Sequence, residues 1–408
     1  MDGYKSSRRA YHKDVPANTD SAYSLITVLY VTHSSNLSGA NQSLADLIVS
    51  VQGKIKPIVL LPSFGPAFDL FSSVGAKCIV SPYALGIRQH LKCRNVISLM
   101  LHPLRFPYLN RIRSFFRLSF VLKKELKDEE IKIVHSNTSL TTIGIQLSRL
   151  FGSKHVWHVR EQIDNQHFND RFHGQKKRIK HKIEKAQARV VVSNYCMNSW
   201  EFKTENTYVL FDAVRWINES LLFEKKQSYF LFCSNYITEA KGCFFVIRAF
   251  GLSGLADKGV RLKIVGNDIG LNKSIIALAE EVGCVGSIDI LPFQNDINQL
   301  FAHSLAFINP SIDEGLGRTT AEAMFFGCPV IGLASGGTID LIKNEETGYL
   351  FSSIEECADL LKRVYGTNQH NIIINAQEFV KKELSIDYYG EKILKVYHGV
   401  LEDKNKGV

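Results

Sequence analysis

The residues with the most chemical potential lie in one stretch, Asn309 to Met324. It reads Asn309-Pro310-Ser311-Ile312-Asp313-Glu314-Gly315-Leu316-Gly317-Arg318-Thr319-Thr320-Ala321-Glu322-Ala323-Met324. Two carboxylates, Glu314 and Glu322, flank a turn built on Gly315 and Gly317 that feeds a helix-like run. Glycines admit positive φ and let a ligand approach the backbone closely. A turn entering a helix N-terminus presents backbone N–H groups and a positive dipole end to an anion. Carboxylates on either side of such a turn can grip sugar or ribose hydroxyls. The pattern suits a sugar attached to a nucleotide diphosphate. The plainer reading, a solvated loop and an ordinary glutamate early in a helix, fits the pair alone but not the whole string.

Three further places carry candidates. Lys241, in Thr238-Glu239-Ala240-Lys241-Gly242, follows a strand and opens a predicted helix, Lys241 to Phe250, where an ammonium can meet a phosphate. Its plainer reading is a solvated helix residue. His158 closes the strand pattern His155 to Val159 and can hydrogen-bond a sugar hydroxyl, or simply be a satisfied strand-end histidine. Neighbouring Arg160 and Glu161 can serve the same site, or pair with each other's neighbours rather than with substrate. On a strand, His155 and His158 point to opposite faces, which argues against a shared metal. Ser38-Gly39-Ala40-Asn41 makes a small-residue strand-to-helix turn in which Gly39 can let amides touch a phosphate or an acceptor. It lacks the full G-x-G-x-x-G pattern of dinucleotide oxidoreductases. Asn137, in Ser136-Asn137-Thr138-Ser139, sits at another strand end and is a candidate for acceptor binding.

The elements that must position these residues alternate as strand and helix, twice. The first series runs through Leu25 to Val31, Pro57 to Leu61, Lys77 to Val80, Ile131 to His135, His155 to Val159 and Arg189 to Ser193. The second runs through Tyr229 to Cys233, Arg261 to Val265, Ile288 to Leu291, Leu305 to Ile308 and Val330-Ile331. Two Rossmann-like α/β domains facing each other across a cleft are expected. The expected boundaries are a flexible tail at 1–22, an N-terminal domain at 23–215, and a C-terminal domain at 226–384. A terminal helix, 385–402, with apolar residues at helical spacing from Tyr389 to Val400, is assigned to the first domain.

The full series of motifs resembles glycosyltransferase family 4, the large retaining group with the GT-B fold. The resemblance rests on Pro310-Ser311, Glu314 to Arg318, Glu322-Ala323-Met324, Gly327-Cys328-Pro329-Val330-Ile331, Gly336-Gly337 and Thr347-Gly348. It continues more weakly back to about residue 25, and members that build surface polysaccharides look most similar. The resemblance implies that Glu322 binds the ribose, that Glu314 contacts the donor sugar, and that His158 lies near that sugar. It also implies that the amides of Gly315, Leu316, Gly317 and Arg318 lie beside sugar and phosphates, with Lys241 on the diphosphate. One position departs from the family: Tyr236 stands where a phosphate-binding arginine is usual. A tyrosine offers one hydroxyl in place of a bidentate charged fork. Arg318 or another cation can substitute, the donor can bind more weakly, or activity can be impaired.

Bulk properties agree with this outline. The chain has 408 residues, a formal net charge of +9 and 45% hydrophobic residues, which suits two globular domains with a basic face. The eight cysteines form no C-x-x-C pair and read as reduced structural thiols. No segment is long and apolar enough for a signal peptide or a membrane span, so a cytoplasmic protein is expected. Two basic stretches, Arg105 to Lys127 with interleaved phenylalanines and Lys176 to Lys182, can rest on an anionic bilayer, at the membrane's inner face. A solvated helix face explains the run Lys176 to Lys182 at least as well, and nucleic acid is not indicated.

The expected activity is transfer of a sugar from a UDP- or GDP-type donor to a glycan or lipid-linked saccharide. No cofactor is expected and, in the absence of a D-x-D motif, no metal. Two rivals remain: an epimerase acting on the nucleotide sugar, and a non-catalytic sugar-binding subunit.

Overall fold

The computed structural model describes residues 25–83, 107–163, 175–214, 226–294, 296–312 and 314–403. The proposed tail at 1–22, the junction segment 215–225, Arg105, Phe106 and Asp313 lie outside the described residues.

Among the described residues, thirteen strands form two sheets. In the first are β1 (Ile26–Val31), β2 (Ile55–Leu61), β3 (Lys77–Val80), β4 (Ile133–Ser136), β5 (Lys154–Val159), β6 (Ala188–Val191) and β7 (Thr207–Val209), in the order β3-β2-β1-β4-β5-β6-β7. In the second are β8 (Tyr229–Tyr236), β9 (Arg261–Asn267), β10 (Ile288–Leu291), β11 (Phe307–Asn309), β12 (Val330–Leu333) and β13 (Tyr349–Phe351), in the order β10-β9-β8-β11-β12-β13. β1 pairs in parallel with β2 and β4, and β8 pairs in parallel with β9 and β11. The direction of winding therefore reverses between β1 and β4 in one sheet and between β8 and β11 in the other. Ligands of such sheets bind beyond the carboxyl ends of the strands at these reversals.

The strand runs are rich in Val, Ile, Leu and Phe because helices cover the sheets. Leu118, Leu122 and Leu126, on or just past the helix Pro107–Glu125, pack against Leu29, Val31, Ile58 and Leu60. Each such side chain contributes about 1.5–3 kcal/mol on burial. Under the second sheet, Val246, Ile247 and Phe250 of the helix Cys243–Ser253 join Phe230, Leu262 and Ile264. Ser38 caps the helix Gly39–Ser50 by accepting from the Asn41 N–H at 3.3 Å. Gly152, left-handed at φ 63°, ends the helix Ile143–Phe151.

The chain divides into two compact units, residues 1–157 with 397–408, and residues 158–396. In the first unit, Tyr397 of the terminal helix Ile386–Glu402 meets the Tyr30 hydroxyl at 3.1 Å and His135 Nδ1 at 2.8 Å. His155, also in this unit, lies 2.9 Å from the Ser136 hydroxyl through Nε2, and burial lowers its pKa to about 3. The ring is therefore neutral and structural. Among the described residues, seven cysteines are free thiols, five of them buried.

Two local expectations need correction. The predicted helix Lys241 to Phe250 starts two residues later, at Cys243. Lys241 instead ends a short 3-10 turn, Glu239–Lys241, and Gly242 follows in the left-handed conformation at φ 80°. The reason is close packing: a Cβ on Gly242 would lie 2.6 Å from Pro310 Cγ. In addition, the second sheet has a sixth strand, β13, beyond those predicted.

Candidate functional site

The richest constellation stands at the winding reversal of the second sheet, where the loops leaving β8 and β11 meet. The chain leaves β8 at Tyr236 and turns through Thr238, whose hydroxyl accepts from the Lys241 N–H at 3.2 Å. This turn aims Lys241 across the reversal. Its Nζ lies 2.7 Å from Glu314 Oε1 and 3.5 Å from the Ser311 hydroxyl. Two residues singled out in the sequence, 73 positions apart, are thus in direct contact.

Asn309, at the end of β11, anchors the loop that carries Glu314. Its Nδ2 donates to the Thr320 hydroxyl at 2.9 Å and to the Thr338 hydroxyl at 3.5 Å. Its Oδ1 accepts from the Ser311 N–H at 3.2 Å. The loop then passes Gly317, left-handed at φ 91°, which serves as N-cap of the helix Arg318–Phe325 without a side chain. Glu322 lies one turn into that helix, and Arg318 Nη2 approaches it to 3.8 Å. Leu316, between the two glycines, is buried.

A second glycine turn braces the first. The Gly337 N–H donates to the Glu314 carbonyl at 2.8 Å. A Cβ on Gly337 would fall 2.3 Å from the Gly315 carbonyl oxygen and 2.6 Å from Leu316 Cα. A Cβ on Gly315 would fall 2.2 Å from the Arg160 carbonyl oxygen, and the Ser193 hydroxyl donates to the Gly315 carbonyl at 2.6 Å. The end of β5 therefore abuts this loop. Asp340 ties the same region to residues 194 and 195, accepting from Asn194 Nδ2 at 3.1 Å and the Tyr195 N–H at 2.9 Å.

His158 is fully buried at the end of β5, with Nδ1 3.4 Å from Arg160 Nη2. Arg160 forms a buried ion pair with Asp212, and the Tyr389 hydroxyl donates to Asp212 Oδ1 at 3.4 Å. Burial works against the guanidinium charge, but Asp212 and Tyr389 outweigh it and leave the Arg160 pKa above its usual value. Arg160 thus pairs within the protein, through a partner that the sequence did not indicate.

Tyr236 stands 58% exposed at the end of β8, past a bulge in the β8–β9 ladder. Gly39 and Asn137 belong to the other compact unit. There Asn137 Nδ2 donates to the Ala40 carbonyl at 2.9 Å, at the β1–β4 reversal. Asn309, Ser193, Asp340, Asp212 and Tyr389 were missed as site-forming residues. Their partners are remote in sequence, and only the conspicuous Asn309-Pro310-Ser311 string hinted at any of them.

Fold and site together define an α/β protein of GT-B architecture. Residues 215–379 match the family model described as Glycosyl transferases group 1. The chain is 30% identical over 174 residues to glycosyltransferase 1 domain-containing protein 1 of Xenopus tropicalis, covering 41% of this chain and 50% of that one. It is 25% identical over 210 residues to an uncharacterized glycosyltransferase of Haemophilus influenzae, covering 49% and 56%. The chain thus spans about half the length of these curated relatives. Among solved structures, HepE of Anabaena in complex with UDP superposes with a TM-score of 0.73 at 16% identity, covering 91% of this chain and all of that one. The lipopolysaccharide outer core galactosyltransferase WaaB gives 0.67 at 17% identity, covering 91% and 99%.

The bracing turn is directly testable. Gly337→Ala forces backbone at Gly315 and Leu316 to shift and is expected to cost about 1–3 kcal/mol in urea unfolding. Gly286→Ala, with open space around its Cβ, is expected to stay within about 0.5 kcal/mol of the parent. Equal stability of the two variants would contradict the packing.

Proposed function

We propose that this chain is a retaining glycosyltransferase. It moves a sugar from a UDP- or GDP-type nucleotide-diphosphate donor to a hydroxyl of a glycan or lipid-linked saccharide, in surface polysaccharide synthesis. The observation that carries this reading is the 2.7 Å contact of Lys241 with Glu314 beside the Gly317-capped helix that bears Glu322. A cation, a carboxylate and a helix N-terminus converge where a diphosphate and its sugar need them.

In this reading Glu322 binds the ribose hydroxyls and Glu314 the donor sugar. Lys241, the amides of residues 315–318 and the Arg318 side chain meet the diphosphate, with Arg318 covering the arginine that Tyr236 does not supply. His158 faces a sugar hydroxyl, and the Gly39 turn and Asn137 serve the phosphate and acceptor side. The sugar C1–phosphate oxygen bond breaks as the acceptor oxygen bonds to C1 from the same face. The acceptor proton passes to the departing phosphate oxygen. The glycosyl transferases group 1 match supports the class, and the HepE complexes with UDP and UDP-glucose support a UDP-type donor.

The membrane contact has its own observation. Phe116 and Phe120 stand 68% and 74% exposed on the helix Pro107–Glu125, among the exposed cations Arg113, Arg117, Lys123 and Lys124. Phe116, Phe120, Arg113 and Arg117, with Ser81 and Pro82, line an open groove of about 910 Å³. Among the described residues, no helix is long and apolar enough to cross a membrane. An anionic bilayer surface complements such a face.

Glu314→Ala is expected to lower kcat by roughly a hundredfold or more while the far-UV spectrum is retained. Unchanged turnover would remove the sugar contact. Incubation with nucleotide sugars and no acceptor separates the rivals: isomer formation indicates an epimerase, and binding without any turnover, even with acceptors, indicates a non-catalytic subunit. In vesicle sedimentation, the protein is expected to pellet with phosphatidylglycerol vesicles but not with pure phosphatidylcholine. The double variant Phe116→Ser/Phe120→Ser is expected to stay in solution. Equal pelleting of parent and variant would contradict the docking face.

A further inference from the structure

We propose that Arg160, held by Asp212 and Tyr389, fixes the tautomer of His158, so that the neutral ring carries its proton on Nε2 and donates it in a hydrogen bond to an oxygen of the bound sugar. The second clause rests on the donor-site reading above; the first rests on geometry alone.

An arginine side chain has five N–H donors and no acceptor. The nitrogen facing Arg160 Nη2, 3.4 Å away, is His158 Nδ1. That nitrogen must therefore offer its lone pair, which leaves Nε2 as the protonated atom of the neutral ring. A proton on Nδ1 would set two N–H groups against each other. The guanidinium cannot swing away to relieve such a clash. Its ion pair with Asp212 is buried on both sides, and Tyr389 braces the same carboxylate oxygen. Moving either group away would leave the other as an uncompensated buried charge, so this pair is locked in place.

The ring is placed to matter. Two residues beyond it, the Arg160 carbonyl presses on Gly315, the neighbour of Glu314. One strand end thus sets both the glycine loop and the histidine. Arg160, Asp212 and Tyr389 are positioning residues in this scheme: they act on the reaction through His158. The arrangement parallels other sites in which a group bonded to one ring nitrogen decides the state of the other.

The test is long-range ¹H–¹⁵N NMR on the full chain with ¹⁵N-labelled histidine, with His158→Asn used to assign the ring. The parent is expected to show the Nε2–H tautomer without any ligand, which requires no variant to fold. Asp212→Asn is expected to give a mixed or Nδ1–H ring and to lower kcat roughly tenfold, the worth of about one hydrogen bond, with the donor KM little changed. An Nδ1–H ring in the parent, or an unaltered ring in Asp212→Asn, would overturn the tautomer assignment. An Nε2–H ring in a protein whose turnover survives His158→Asn would overturn the sugar contact and leave the assignment standing.

Discussion

The ion pair between Lys241 and Glu314 is the interaction on which the rest of the site depends. It joins the loop after β8 to the loop after β11 at the winding reversal of the second sheet. Its position follows from backbone constraints on both sides. Gly242 must be left-handed to clear Pro310, and Gly337 must lack a Cβ to clear Gly315 and Leu316. These close approaches leave little freedom in where the two charged groups end up.

The energetics of the two ion pairs in this region differ in kind. Lys241 and Glu314 are partly exposed, with side chains 43% and 23% accessible. Such a pair is worth about 0–1 kcal/mol, so a diphosphate can take over the ammonium at little cost. Arg160 and Asp212 are almost wholly buried, and breaking them is several times more expensive. On the proposed function one pair is exchangeable and meets the donor, whereas the other is a fixed support behind His158. Burial, rather than residue type, separates a binding role from a structural one here.

Much of this was legible in the sequence. The apolar runs of β1, β5, β8 and β9 are long enough to read as buried strands, and Gly315-Leu316-Gly317 before a helix pattern marks the turn that opens the helix Arg318–Phe325. The placement of Lys241 was less legible. Local pattern made it a helix residue, but tertiary packing against Pro310 broke the helix at Gly242 and turned the side chain toward Glu314. The three-residue β13 was too short to carry a period. The partners of Arg160 and of Gly315 lie 52 and 122 positions away, and no local pattern announces such contacts. Tyr236 stands exposed at the end of β8, beside the loop that carries Lys241.

The most direct measurement is calorimetric titration of UDP and of GDP, each against its own nucleoside, on the parent and on Lys241→Met. The account predicts micromolar binding of one diphosphate and at least roughly tenfold weaker binding of the matching nucleoside, as charge-assisted hydrogen bonds to phosphate require. It further predicts that Lys241→Met removes most of that difference. Equal affinity for nucleoside and diphosphate, or a Lys241→Met protein that binds the diphosphate as the parent does, would contradict it.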